Sequence, residues 1–405
     1  MTVTIRPAPL RGRIKAPPSK SMAHRLLICG GLSEGGETRI RGISDSEDVS
    51  ATLDCLSVLG AYWERAGDSV RLRGTDPRRH PPAGPLECRE SGSTLRFFLP
   101  LCLLSGGEAV LHGAPALLSR PLSVYETVCR EQSLLFRTEA GGVRVGGRLS
   151  PGEYRIPGNI SSQFISGLLF ALPLLSGDST LSLLPPVESR SYLLLTMEAL
   201  HRFGVRADFR DERTLFIPGG QQYLSTDVEV EGDYSNAAFF AALRLFGAAV
   251  EIDGLNPDSL QGDRAYARYF AMLDRGTPTI HIGDCPDLGP ILMAVAAARN
   301  GAVFCGTRRL RIKESDRGAA MAEELSKMGV SVTVREDSIV VYPADFHAPQ
   351  EPLNGHNDHR IVMALATLLT QTGGSITGAE AVRKSLPEYF SMLRSLGAEV
   401  YIEKT

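Results

Sequence analysis

The amino-acid sequence predicts a protein of the α/β class that can also be described as α+β, because its units would combine strand–helix–strand crossovers with hairpins. It predicts two domains, each built from three βαβαββ units. Three observations lead to this class. The chain has 405 residues, which is more than a single hydrophobic core usually serves. Six segments repeat one pattern of short strand, polar turn and apolar helix. A second pattern of strand, amphipathic helix and hairpin follows most of them.

The first half of each unit is a strand followed by a turn that contains Gly or Pro together with Ser, Asn or Asp. The six openings read, in chain order, IKAPPSKSMAHRLLICGGL, LECRESGSTLRFFLPLCLL, YRIPGNISSQFISGLLFALPLL, VEVEGDYSNAAFFAALRLFG, IHIGDCPDLGPILMAVAA and EPLNGHNDHRIVMALATLL. The helices in these segments are apolar on nearly every side, which is typical of helices buried all round. We therefore expect an inside-out layering, with three parallel helices at the centre of each domain and sheets outside them.

The second half of each unit ends its helix at Leu-Gly, Phe-Gly or Met-Gly, a common stop signal, and continues into two alternating strands. The fourth unit lacks a recognisable hairpin, and the chain ends on half of one, AEVYIEKT. Residues 1–14 are therefore expected to supply the missing strand. This predicts one domain of residues 1–14 plus 231–405, a second of residues 15–230, and hinge crossings near 15 and 230.

Composition excludes several classes of protein. The formal net charge of −3 is not that of a general nucleic-acid binder. No apolar run reaches the roughly 18 residues of a membrane span, and the N-terminus has no apolar signal core. The seven cysteines form no CxxC pair, and the histidines are not at ligand spacing. We expect reduced thiols, no metal, no membrane, no nucleic acid and a cytoplasmic location.

Cations recur at the helix starts, although the positive end of a helix dipole disfavours them. They are Lys20, Arg25, Arg96, Arg120, Arg311, Lys313, Arg317, His359, Arg360 and Lys384. Any one of them alone is best interpreted as a solvated side chain. Their recurrence in equivalent turns, where free backbone N–H groups also favour anions, indicates a positive cleft for anionic ligands. No Walker A loop, no GxGxxG after a strand and no GxSxG elbow occurs.

Two carboxylates lie among these cations, Asp287 in CPDLGP and Glu314 in RIKESDR. Either could have a plain structural role, Asp287 as a helix cap and Glu314 as half of a surface ion pair. Either could also transfer a proton if the substrate's charge adjusts its pKa. Lys20 is a third candidate, because a lysine can donate a proton or hold developing charge.

The motifs PPSKSMAHR, ESGSTLR, SRPLS, GNISSQF, PDLGPILMA, RIKESDR, NDHR and KSLPEYF occur in the order found in the enolpyruvyl transferases. The chain resembles that family, in the branch that acts on shikimate 3-phosphate, over nearly its whole length. The resemblance implies two domains of three βαβαββ units and a cleft that closes on substrate. It implies transfer of the enolpyruvyl group of phosphoenolpyruvate to the 5-hydroxyl of shikimate 3-phosphate, with release of phosphate, on the pathway to chorismate and the aromatic amino acids. It implies a monomer without cofactor or metal.

The resemblance also implies roles for particular residues. Asp287 is the implied base, and Glu314, with Lys20, the implied acid. The implied contacts with shikimate 3-phosphate are Lys20, Ser21, Arg25, Ser161, Ser162, Gln163, Ser189, Asp287 and Lys313, with Tyr192 near the ring. The implied contacts with phosphoenolpyruvate are Lys20, Gly92, Arg120, Gln163, Arg317, Arg360 and Lys384.

One motif departs from the family, and two alternatives stay open. Many relatives read NAGT where this chain has Glu90, Ser91, Gly92 and Ser93. Relatives that resist glyphosate often add a methyl at the glycine, so Gly92 predicts sensitivity. A UDP-N-acetylglucosamine enolpyruvyl transferase typically carries a loop cysteine five residues before the conserved arginine, where this chain has Pro115. A non-catalytic repeat scaffold that binds anionic metabolites is the second alternative, and it would tolerate loss of Asp287.

Overall fold

The structure is a computed structural model, and it describes residues 1–403. The strands are β1 (Thr2–Arg6), β2 (Arg11–Lys15), β3 (Thr38–Arg41), β4 (Tyr62–Ala66), β5 (Ser69–Arg73), β6 (Leu86–Glu87), β7 (Glu108–His112), β8 (Leu135–Glu139), β9 (Gly142–Gly146), β10 (Glu153–Pro157), β11 (Ser179–Leu184), β12 (Asp208–Phe209), β13 (Thr214–Ile217), β14 (Val228–Glu229), β15 (Ala249–Asp253), β16 (Thr279–His281), β17 (Ala302–Cys305), β18 (Val332–Val334), β19 (Ser338–Val341), β20 (Leu353–Asn354), β21 (Gly374–Thr377) and β22 (Glu399–Glu403). The helices are α1 (Lys20–Leu32), α2 (Glu47–Leu59), α3 (Gly92–Cys102), α4 (Pro115–Leu118), α5 (Ser123–Glu131), α6 (Ser162–Ala171), α7 (Arg190–Arg202), α8 (Tyr234–Leu245), α9 (Tyr266–Arg275), α10 (Gly289–Ala297), α11 (Arg317–Ser326), α12 (His359–Thr372) and α13 (Tyr389–Ser395).

The chain divides into two compact units, residues 20–230 and residues 1–19 with 231–405. The 20–230 unit has three four-stranded sheets, in the orders β14-β3-β5-β4, β6-β7-β9-β8 and β10-β11-β13-β12. In each sheet the first pair is parallel and the other two are antiparallel. In the second and third of these sheets a crossover helix, α3 or α6, joins the two parallel strands, and a hairpin supplies the antiparallel strands.

The other unit has two sheets of the same design, β16-β17-β19-β18 and β20-β21-β1-β22, and a two-stranded sheet, β15-β2. β1 lies between β21 and β22 and is antiparallel to both, so the start of the chain completes the sheet at its end. β2 pairs in parallel with β15, which has no hairpin after it. β2 therefore does not pair with β3, the first strand of the 20–230 unit. β3 pairs in parallel with β14, at the end of that unit.

The helices that open the repeats are buried, because their sequences present apolar atoms on every side. All nine residues of α10 are buried, and so are most residues of α3, α6 and α12. Phe97 of α3 contacts Phe170 of α6, with ring centroids 5.3 Å apart, and α8, α10 and α12 pack on one another in the second unit. The predicted two-domain α/β class is confirmed. Within residues 1–403, no helix is both long enough and apolar enough to cross a membrane.

Candidate active site

The buried helices of the 20–230 unit begin at the turns that the sequence singled out. α1 begins at Lys20 itself. Ser91 caps α3, with its Oγ 3.2 Å from the backbone nitrogen of Thr94, and Ser161 caps α6 by accepting from the nitrogen of Gln163. These caps satisfy one backbone donor each, and helix starts of this kind favour anions.

Lys20 and Arg25 are both held by polar groups on α1 and its neighbours. The Lys20 Nζ atom lies 2.7 Å from Oδ2 of Asp48 on α2. Arg25 is buried, and it donates to the Ser21 carbonyl at 2.6 Å and to the Tyr192 carbonyl at 3.1 Å. Burial lowers the pKa of Arg25 to about 10, so it remains a cation at neutral pH. Arg25 thus fixes the backbone of two predicted substrate contacts.

Gly92 at the start of α3 lies beside Arg120, which follows α4, and beside Arg96, which contacts Gln163 of α6. A Cβ atom placed on Gly92 would lie 2.8 Å from Nη1 of Arg120 and 3.0 Å from Nη1 of Arg96. Arg96 donates to Oε1 of Gln163 at 2.7 Å, and Nε2 of Gln163 donates to Oγ of Ser93 at 2.9 Å. Two guanidinium groups therefore converge on a glycine at a helix start, which is a geometry suited to an anion.

Arg96 was recognised in the sequence as a helix-start cation but was assigned no contact. The signal that could have placed it is its spacing of four residues from Gly92, since positions i and i+4 share a helix face. Of the remaining predicted contacts in this unit, Ser162 is buried at the start of α6. Ser189 is buried with a left-handed backbone (φ 56°) directly before α7.

A second cluster of charges surrounds Arg317 in the other unit. The Arg317 side chain is 1% exposed, and it contacts three carboxylates. Its nitrogens lie 2.8 Å from Asp287 Oδ1, 2.7 Å from Glu314 Oε2 and 2.8 Å from Asp358 Oδ2. Asp358, which the site prediction did not include, also caps α12 by accepting from the Arg360 nitrogen at 2.9 Å.

Asp287 lies among three cations. Its Oδ1 is also 3.1 Å from Lys313 Nζ, and its Oδ2 is 3.1 Å from Arg360 Nη2. Burial by itself would raise the pKa of Asp287, but Arg360, Lys313 and Arg317 outweigh burial and hold it well below its usual range. Burial lowers the pKa of Lys313 to about 8 in spite of Asp287. The free protein therefore presents an ionised carboxylate beside a lysine whose pKa is about 8.

Lys384 and Asp263 complete this cluster. Lys384 is buried, and its Nζ donates to the Asn357 carbonyl at 2.6 Å. Asp263, which the sequence prediction missed, is buried, and burial together with the nearby Asp287 raises its pKa to about 7. No sequence signal marked Asp263, because the tertiary fold brings it near Asp287, which is 24 positions away in the sequence.

The structure places cations at the helix starts of both units, with carboxylates among them, an arrangement suited to anionic ligands. The comparison with known families identifies the class of enzyme. The family model described as EPSP synthase (3-phosphoshikimate 1-carboxyvinyltransferase) matches residues 5–393, and the chain belongs to this family.

Curated relatives and solved structures agree with this family. The 3-phosphoshikimate 1-carboxyvinyltransferases of Clostridium kluyveri and Clostridium acetobutylicum are each 38% identical to this chain, with 98% of this chain and 98% of the relative covered. The EPSP synthase of Acinetobacter baumannii has the same fold, with a TM-score of 0.79 over 99% of this chain and 100% of that chain, at 24% identity.

Proposed function

We propose that this protein transfers the enolpyruvyl group of phosphoenolpyruvate to the 5-hydroxyl of shikimate 3-phosphate and releases phosphate. Membership of the EPSP synthase family supports the reaction. The observation that carries the proposal is the environment of Asp287, whose carboxylate is kept ionised by Lys313, Arg317 and Arg360. A base surrounded by cations suits a reaction in which a hydroxyl loses its proton beside two anionic substrates.

The binding roles divide between groups of residues that share a chemistry. Guanidinium and ammonium groups would hold the phosphate and carboxylate of phosphoenolpyruvate, with the backbone at Gly92 and the Gln163 amide. The proposed cations are Lys20, Arg120, Arg317, Arg360 and Lys384. Hydroxyl groups at helix starts would hold shikimate 3-phosphate, together with cations and the Asp287 carboxylate. The proposed contacts are Lys20, Ser21, Arg25, Ser161, Ser162, Gln163, Ser189, Asp287 and Lys313.

The reaction would proceed by addition and then elimination. In the addition, the 5-oxygen of shikimate 3-phosphate bonds to C2 of phosphoenolpyruvate, Asp287 takes the hydroxyl proton, and Glu314 with Lys20 delivers a proton to the methylene carbon C3. In the elimination, the bond from C2 to the phosphate oxygen breaks, phosphate leaves, and the C3 methyl returns one proton to restore the double bond. Fixed charges and positioning would supply the rate enhancement.

Substrate binding would activate Asp287. In the free protein, three cations depress its pKa, which makes it a weak base. Substrate phosphate and carboxylate groups would neutralise part of that positive charge and raise the pKa toward the value that a general base needs. The base would therefore gain strength only when the substrates are in place.

We also infer a cytoplasmic location and a monomeric state. The seven cysteines are free thiols, and six of them are buried, as suits a reducing compartment. Light scattering would test the monomer. The hinge crossings near residues 15 and 230 stay a prediction.

The experiment that tests the function is phosphate release from phosphoenolpyruvate, measured with shikimate 3-phosphate, with UDP-N-acetylglucosamine and with neither acceptor. Release that depends on shikimate 3-phosphate alone is the expected result. Release with the sugar nucleotide instead would overturn the proposal in favour of the other enolpyruvyl transferase. Tight binding of both proposed substrates without release would identify a non-catalytic scaffold.

A further inference from the structure

The turn between β20 and α12 has an unusual backbone. His356 and Asn357 are consecutive and both left-handed, with φ of 48° and 51°. Residues other than glycine rarely adopt this conformation, and two in succession are rarer. Such a backbone persists where the surrounding structure holds it in place.

Glu324 of α11 holds this turn from both sides. Its side chain is 0% exposed. Its Oε1 lies 2.8 Å from Nε2 of His356, and its Oε2 accepts from the backbone nitrogen of Asn354 at 2.9 Å. The Lys327 ammonium lies 3.1 Å from Oε2 and supplies positive charge to the buried carboxylate. A single carboxylate therefore binds the residues before and within the left-handed segment.

This turn carries groups that contact the side chains of two of the proposed phosphoenolpyruvate cations, Lys384 and Arg317. The Asn357 carbonyl accepts from Lys384 at 2.6 Å. The next residue, Asp358, binds Nε of Arg317 at 2.8 Å, and Arg360 follows within the first turn of α12. α11 is therefore joined to the turn at two places, by Arg317 at its start and by Glu324 two helical turns later.

Glu323, Glu324 and His356 also have the composition of a metal site, since their ligand atoms lie within 4.8 Å of one another. Lys327 argues for a different role. Its Nζ is 3.1 Å from Glu324 and 4.0 Å from Glu323, so the protein's own ammonium already serves as the cation for these carboxylates. A divalent ion there would have to displace Lys327 or tolerate it at close range.

We propose that Glu324 and His356 are positioning residues for phosphoenolpyruvate. Their contact holds the Asn357 carbonyl and Asp358 where they orient Lys384 and Arg317. This inference rests on the proposed function, because its ligand is the phosphoenolpyruvate of that reaction. Neither residue needs to touch the substrate. Loss of the contact would misplace the cations and weaken phosphoenolpyruvate binding, while leaving the helix-start hydroxyls of the 20–230 unit intact.

The test compares His356→Gly with His347→Gly, which removes an exposed imidazole from the same unit. Glycine keeps the left-handed backbone accessible, so His356→Gly removes the hydrogen bond without adding strain. We expect the KM for phosphoenolpyruvate to rise about tenfold, which is the size of effect that loss of one hydrogen bond to a buried charge produces. The Kd of shikimate 3-phosphate should stay within about twofold of the wild-type value. His356→Gln, whose amide can still donate to Glu324, should recover most of the loss.

A double-mutant cycle with Glu324→Gln adds a second measurement, and the Glu324→Gln single variant by itself serves if His356→Gly does not fold. The double variant should be no worse than the more impaired single variant, because both changes remove the same contact. If the wild-type enzyme is active and His356→Gly has the same KM for phosphoenolpyruvate, this inference is overturned and the proposed function stands. Equal weakening of both substrates indicates a general structural role and also overturns it. Absence of turnover in the wild type overturns the proposed function and this inference with it.

Discussion

The guanidinium of Arg317 lies 2.8 Å from the carboxylate of Asp287, and the Arg317 side chain is only 1% exposed. Arg317 is also the first residue of α11, where the helix dipole disfavours a cation. Three carboxylates compensate for that cost, those of Asp287, Glu314 and Asp358. The cations of RIKESDR are thus stable at a helix start because the fold brings distant acids to them, and Asp287 is in turn kept ionised.

Replacing the proposed base should abolish most of the activity. For Asp287→Asn we expect kcat to fall by about 10²–10⁴-fold, the usual range for loss of a general base. Steady-state phosphate release at saturating concentrations of both substrates would measure kcat. Asp258→Asn, which changes an exposed carboxylate in the same unit, is the control and should be unaffected. Normal turnover in Asp287→Asn would remove this residue from the chemistry and leave proton abstraction to another group.

Arg317 should be essential for stability as well as binding. Arg317→Ala would leave three carboxylates without their shared buried cation, and we expect the free energy of unfolding to fall by about 3–5 kcal/mol. Arg311→Ala is the matched control, because Arg311 lies in the same motif but is exposed and donates to the Arg335 carbonyl. It should change stability by less than about 0.5 kcal/mol. Urea denaturation of both variants gives the comparison, and equal effects would contradict it.

Substrate affinity should depend on pH through Lys313, whose pKa burial lowers to about 8. Lys313 is protonated below that value, so kcat/KM for shikimate 3-phosphate should fall as pH rises through about 8. Unfolding does not explain such a fall. Between a pH of about 8 and the ordinary lysine pKa, the Lys313 side chain is protonated in the unfolded state but not in the folded state. Its contribution to the free energy of unfolding therefore increases with pH in that range.

Lys313→Arg is the check on this assignment, because arginine stays charged throughout. Whatever the absolute kcat/KM of Lys313→Arg, its transition near pH 8 should disappear. A transition that persists unchanged in Lys313→Arg would assign the titration to another group.

Glyphosate should inhibit the wild-type protein, and Gly92→Ala should weaken that inhibition. The added Cβ would lie 2.8 Å from Arg120 Nη1, so the guanidinium would have to move away from the proposed phosphoenolpyruvate site. We expect a higher KM for phosphoenolpyruvate together with a higher inhibition constant. Gly84→Ala is the control, since its Cβ would meet no atom within 4 Å. A wild-type enzyme that glyphosate does not inhibit would contradict the prediction.

Much of the fold could be predicted from local patterns. The apolar runs of α10 and α12 indicate buried helices, and the Ser, Gly and Asn residues before α3 and α6 mark their starts. Lys313, Glu314 and Arg317 were identified as candidates from one seven-residue motif. Asp263, Asp358 and Glu324 were not assigned to the site, because their roles depend on partners that are remote in sequence. Arg96 was also left unassigned, although its spacing from Gly92 could have placed it.

The sequence by itself determined the repeating unit, the buried helices and the concentration of cations at helix starts, because periodicity and turn chemistry act over a few residues. Only the tertiary structure decided which distant strands and charges meet. β2 pairs with β15 and β14 pairs with β3, although neither pair is close in sequence. Glu324 likewise meets His356 across 32 positions. Such contacts depend on how whole elements pack, and side-chain pairing across them has no local signature.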